Sequence, residues 1–317
     1  MAMRLSTAFA TWMSFASVAA MSSHAPTADG PVVFAPDAIP AGADDGAAVF
    51  TPDGATVYFM RGTGDGSTLM ESRHRDGRWS PPTVAPFSGR WHDLDPAMAP
   101  GGSFLLFASN RPATPGDPPL DAVHGGKRHV GQGMNLWRVD WRGDHWSTPV
   151  RLPDVVNRCS LIASPSIAAD GSLYFIGCAG PRGDFALLRS PYRDGRYATP
   201  RVVALGDADA TIRDPAIAPD GSFIVVSVKH AAQQPYRLAI AFRTPTGWSA
   251  LQDLGDAVNG GKENMGAQLG PDHHTLYFYS DRPAAGAQAS AAWNNGHDHI
   301  WQVSLTPWLD AHAGHGR

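Results

Sequence analysis

The sequence predicts an all-β fold: a five-bladed β-propeller of four-stranded antiparallel blades, closed by an N-terminal outer strand. Three observations carry that prediction. Gly and Pro are abundant, at 34 and 27 of 317 residues, while only 17% of residues are charged. This is the chemistry of turns rather than of long helices. One pattern recurs five times: an apolar stretch, a Pro-Asp-Gly-like turn and an apolar-aromatic strand. A second turn, followed by Trp or Tyr, comes after four of the five.

Residues 1–20 carry an early Arg4, an apolar run and small residues at Ser17, Ala19 and Ala20. That is the three-part layout of a cleaved export signal, too short and Ser/Thr-rich for a membrane span. A short linker, 21–30, follows. The propeller is expected over 31–308 and a flexible tail over 309–317.

The five turns centre on Gly54, Gly102, Gly171, Gly221 and His273. Pro-Asp-Gly supplies a fixed φ, a side-chain acceptor and a positive-φ position, which together close a tight hairpin. The second turns precede Trp79, Trp146, Tyr197 and Trp248, whose flat rings suit packing against a neighbouring repeat. Each repeat is thus four strands, A to D, with no face it can bury alone, and radial stacking buries them all. The fifth repeat lacks its last strand. The segment from Pro31, PVVFAPD, matches strand-D text such as PVRLPDV from Pro149 and would close the ring; a sixth blade is disfavoured.

The spaced text PDGxxLYFxSDRP, followed by an Ile/Leu-Trp strand, resembles the TolB-type WD-like β-propeller repeat of exported bacterial proteins. The resemblance runs from about Pro31 to Trp308. It implies a periplasmic or extracellular propeller, most often a scaffold or binding module and less often a hydrolase or lyase. Export permits a disulfide between Cys159 and Cys178, worth about 3 kcal/mol, although two buried thiols are the alternative.

In such blades the A–B and C–D turns share one face, and the B–C and D–A loops share the other. The variable text falls on the second, loop face. Two insertions extend it, RPATPGDPPLDAVHGGKRHVGQGMN after Asn110 and RPAAGAQASAAWNNGHD after Asp281. Long loops on a rigid scaffold are where binding usually resides. The expected binding residues are Arg90, Trp91, His92, Asp93, Arg111, Arg158, Arg213, Lys262, Asn264 and Arg282. Asp45, Asp95, Asp214 and Glu263 would be the carboxylates of a glycosidase-like site; their other role is to hydrogen-bond neighbouring loops. His297 and His299 form a His-x-His pair, but no compact metal-ligand spacing accompanies it, so neither metal nor cofactor is expected.

A net charge of −4 gives no electrostatic case for nucleic acid or an anionic membrane. The expected protein is a monomeric, exported module that binds an envelope glycan, peptide or protein partner at its channel face. The alternative is a glycan-active hydrolase or lyase working through the channel-mouth carboxylates.

Overall fold

The structure, a computed structural model, describes residues 30–39, 42–64, 66–179, 184–207, 209–232, 234–286 and 289–315. The expected leader and nearly all of the linker lie outside the described residues.

Five sheets form in chain order, each with strand A innermost. Blade 1 comprises Asp45–Phe50, Thr56–Thr63, Gly66–Arg75 and Thr83–Val84. Blade 2 comprises Asp93–Met98, Phe104–Ser109, Asn135–Asp140 and Val150–Arg151. Blade 3 is built from Ala163–Ile167, Leu173–Ala179, Asp184–Ser190 and Arg201–Val202. Thr211–Ile217, Phe223–Lys229, Arg237–Thr244 and Gln252–Asp253 make blade 4. Blade 5 has Asn264–Leu269, Thr275–Ser280 and His299–Ser304, and its outer strand is Val32–Val33, paired with Gln302 and Trp301. The N-terminal strand closes the ring as the sequence predicts.

The hydrophobic core is divided to match. Five buried clusters lie one at each of the five blade–blade interfaces, with Phe59, Phe107, Phe175 and Phe278 among the fully buried side chains. The rings after the second turns bridge blades. Trp146 of blade 2 donates its indole N–H to Tyr58 Oη of blade 1 at 2.9 Å, and Trp79 of blade 1 packs edge-on against Phe34 at 5.3 Å.

The turn glycines take left-handed conformations, with φ from 68° to 79° in the first four blades. His273 occupies the same place in blade 5 at φ 58°. A side chain there is strained by its Cβ, and His273 is exposed, its charge acting on Asp220 as the least of the causes that lower that carboxyl. His273→Gly is therefore expected to stabilise the protein by about 0.5–1 kcal/mol, read as a rise in the urea midpoint at unchanged slope.

One expectation is corrected. Residues 306–315 form a helix, α1 (Thr306–His315), instead of a tail from 309. Pro307 stands in its first turn, where its missing N–H costs nothing. Trp308, 1% exposed, anchors the helix on the blade 4–blade 5 core, and His312 stacks on Phe242 at 3.9 Å. The tryptophan's burial, which composition does not reveal, decides the outcome. No helix among the described residues is long and apolar enough to cross a membrane.

Candidate functional site at the channel and loop face

Strand A is bulged at the same place in every blade. The bulge puts Ala47, Asp95, Ser164, Asp214 and Gly266, one per blade, at φ between 46° and 67°. Four of these five are not glycine, so the ring holds local strain that surrounding contacts must offset.

Three ring members are joined. Ser164 Oγ lies 2.9 Å from Asp95 Oδ2 and 2.7 Å from Asp214 Oδ1, and the Ser164 N–H donates to Asp95 Oδ2 at 3.0 Å. A serine hydroxyl has one proton to donate, so both contacts are hydrogen bonds only if one carboxyl carries a proton. Asp214 has the fuller set of donors: its Oδ2 also accepts from Gly266 N–H at 3.0 Å and from Ser227 Oγ at 3.2 Å. Asp95 has no comparable set of donors. Burial, and then the charge of Asp214, push its carboxyl up to about 7. The chain of donation runs from the Asp95 carboxyl to Ser164 and from Ser164 to the Asp214 carboxylate.

Tyr279 fills the lumen beside this chain. It comes from strand B of blade 5 and passes through a gap left by two glycines. A Cβ at Gly46 would fall 2.5 Å, and one at Gly266 2.4 Å, from its Cδ1. Burial and the nearby Asp214 and Asp95 raise the phenol well above its usual range, so it stays neutral. On the turn side the channel opens into a cavity of about 220 Å³, walled by Val49, Met98, Ile167, Ile217 and Leu269.

The loop face divides the expected residues into two groups. Asp45 is 1% exposed and held by a two-pronged bond from Arg61 at 2.7 and 2.8 Å; burial outweighs that partner and raises its carboxyl. Asp93, fully buried, is paired with Arg111 at 2.7 Å. Asn264 is fully buried; its amide donates to Tyr236 O and Gly261 O. Arg282 donates to Ala257 O at 2.8 Å and lies over Trp301. These side chains brace the face from within by bonding to their neighbours, although the buried Nε of Arg282 has no partner. Arg90, Arg158, Lys262 and Glu263 are exposed, and Arg90 sits over the Trp91 ring at 5.3 Å. His92 packs across Gly66, where a Cβ would meet its ring at 2.4 Å.

His297 Nδ1 is bonded to Asp44 Oδ1 at 2.9 Å. Burial works against the Asp44 charge, but the Asp298 N–H and His297 outweigh it and hold the carboxyl below its usual range. Neighbouring Asp298 is pushed up to about 7 by burial and then by Asp44, Asp281 and Glu263. His299 is buried against Trp293 at 4.5 Å. No group of three or more metal-binding side chains forms among the described residues.

The sequence reading missed the feature that joins the blades at this face. The blade 2 insertion folds into a hairpin, Ala122–His124 paired with Lys127–His129, whose two histidine rings stack at 4.0 Å and 3°. Phe185 of blade 3 meets His124 edge-on at 6.1 Å, and Arg213 of blade 4 lies over Phe185 at 5.4 Å. A ladder His129–His124–Phe185–Arg213 thus spans three blades. Its signals in the sequence were the length of the insertion and the place of Arg213 among the expected loop-face residues. The Cys159–Cys178 disulfide is formed and ties the blade 3 loop to its own strand B nearby.

Among solved structures, the fold is similar to α-L-arabinofuranosidase from Lactobacillus brevis, at 11% identity over 86% of this chain and 94% of that one, with a TM-score of 0.55. It is also similar to Kuenenia stuttgartiensis hydrazine synthase, at 15% identity over 82% of this chain and 40% of that one, TM-score 0.50. TolB from Acinetobacter baumannii matches at 17% identity over 62% of this chain, TM-score 0.38, and this chain spans only 40% of that TolB. The sequence matches no family model and no curated protein. Likeness at these identities is one of fold, and propellers host many activities. The class defined is a five-bladed β-propeller.

Proposed function

We propose that the chain is an exported binding module that takes an envelope glycan, peptide or protein partner at its loop face. One observation carries this reading: the ladder His129–His124–Phe185–Arg213, which offers flat ring faces and a guanidinium across three blades. Stacked rings beside a cation suit a sugar ring or a peptide side chain. The disulfide accords with an oxidising compartment.

The hydrolytic alternative needs two opposed carboxyl groups with a substrate bond between them. Between Asp95 and Asp214 stands Ser164, bonded to both, and Asp45 is occupied by Arg61. Glu263 is exposed and its charge acts on nearby Asp298, but the other three expected carboxyl groups are held in the contacts just named. These arrangements favour binding over hydrolysis.

The test is a binding screen of envelope glycans, peptides and envelope extract against the wild type, Phe185→Ala and Arg213→Ala. Either substitution is expected to weaken the selected ligand about tenfold or more. Undiminished binding by both variants, or hydrolysis of a glycan that Asp95→Ala abolishes, overturns the reading.

A further inference from the structure

The five blades provide internal controls for one another. Strands C and D pair at an equivalent position in each. That pair is Glu71–Thr83 in blade 1, Arg138–Val150 in blade 2, Ile240–Gln252 in blade 4 and Gln302–Val32 in blade 5. Blade 3 alone sets two like charges directly opposite, Arg189 and Arg201. Such a pair repels and destabilises a sheet.

A third arginine joins them. Arg189, Arg201 and Arg243 line one cleft of about 350 Å³ between blades 3 and 4, at the turn end of the blades and away from the His129–Arg213 ladder. Arg243 is stacked on Trp248 at 4.8 Å, and Arg189 lies over the Tyr174 ring at 5.7 Å. Stacking holds a guanidinium plane while leaving its N–H edges free to donate. Arg189 reaches Ser172 Oγ at 2.9 Å and, at 3.3 Å, the largely exposed Asp170, while its buried Nε has no partner. No ion pair among the described residues engages Arg201 or Arg243. Three arginines lining one cleft, with the single carboxylate of Asp170 paired to Arg189 alone, in a chain of net charge −4, form a site whose missing member is an anion.

We propose that this cleft binds the oxyanion of an acidic saccharide, either the carboxylate of a uronate or the phosphate ester of a sugar. Planar guanidinium forks match both oxyanions in two-pronged bonds. The cleft's size suits a sugar-sized group, and the Thr246 hydroxyl and Gly247 backbone at its edge can meet ring hydroxyls. The site is separate from the loop face, so either can fail without the other.

The test uses calorimetric titration with four probes: a triuronate, its neutral trisaccharide counterpart, a sugar phosphate and inorganic phosphate alone. The variants are Arg201→Gln, which copies Gln252 of blade 4, and Arg243→Gln. The expected result is saturable binding of the triuronate or the sugar phosphate, weakened by added salt, with none for the neutral sugar. Each variant loses about tenfold or more in affinity. Without ligand, Arg201→Gln melts at or above the wild-type temperature, since the repulsion is gone. The proposal is overturned if neither saccharide binds, if inorganic phosphate accounts for all binding, if the neutral sugar binds as well, or if both variants bind like the wild type.

Discussion

Asp93→Ala is expected to lower stability by about 3–5 kcal/mol, the cost of leaving one member of a buried ion pair without its partner. Asp93 is fully buried and Arg111 is 8% exposed. Arg111 Nη2 donates to Asp93 Oδ1 at 2.7 Å, and its Nε donates to Ser109 Oγ at 2.9 Å. The guanidinium also lies over Phe107 at 4.8 Å and Trp137 at 5.3 Å. It cannot leave without opening the blade 1–blade 2 core. Ser88 Oγ, which donates to Asp93 at 2.8 Å and accepts from Leu69 N–H, would lose its acceptor too. The double variant Asp93→Leu/Arg111→Met removes both charges at similar volume and is expected to recover most of the loss. Denaturant unfolding of the three proteins checks this; equal stability of Asp93→Ala and wild type would show that the pair carries no weight.

The second large effect depends on pH. Burial and the charge of Asp214 push the Asp95 carboxyl up to about 7 in the folded protein, against an ordinary value of 3.8. The native state therefore keeps a proton that the unfolded chain releases. Its stabilising contribution is complete below about pH 4, is lost as the pH rises to about 7, and stays lost above that. The difference amounts to about 2–4 kcal/mol for a carboxyl this enclosed. Asp95→Asn has no proton to lose, and its amide oxygen in the place of Oδ2 can accept the Ser164 N–H. The variant should match the wild type near pH 4 and exceed it by about 2–4 kcal/mol at pH 8. Burial also pushes the Asp298 carboxyl up to about 7, but it does so in both proteins and cancels in the difference.

The blades were legible because local rules repeat. Pro-Asp-Gly turns and the ring after each second turn mark every hairpin, and the closing strand at Val32 follows from its likeness to other strand-D text. The channel was less legible. Asp95 and Asp214 stand out before Pro96 and Pro215, but Ser164 looks unremarkable until the bulge places it between them. Tyr279 is one more alternating strand residue until Gly46 and Gly266 open its path. Asn157 and Asn259 read as loop residues, yet each caps a strand-C residue of its own blade, with Oδ1 accepting from Leu136 N at 2.8 Å and from Leu238 N at 2.7 Å. Spacing along the chain carries hairpins well. It does not carry contacts between blades 50 residues apart, and the ring, the ladder and the arginine cleft are all of that kind.

That Asp95 and Asp214 share a proton through Ser164, and so bind the ring together instead of acting on a substrate, is tested most directly by unfolding wild type and Asp95→Asn across pH 4 to 9. Curves that coincide at the acid end and separate through pH 7, with the variant the more stable, are the predicted result. Parallel curves, or a variant that is less stable at pH 8, would contradict it.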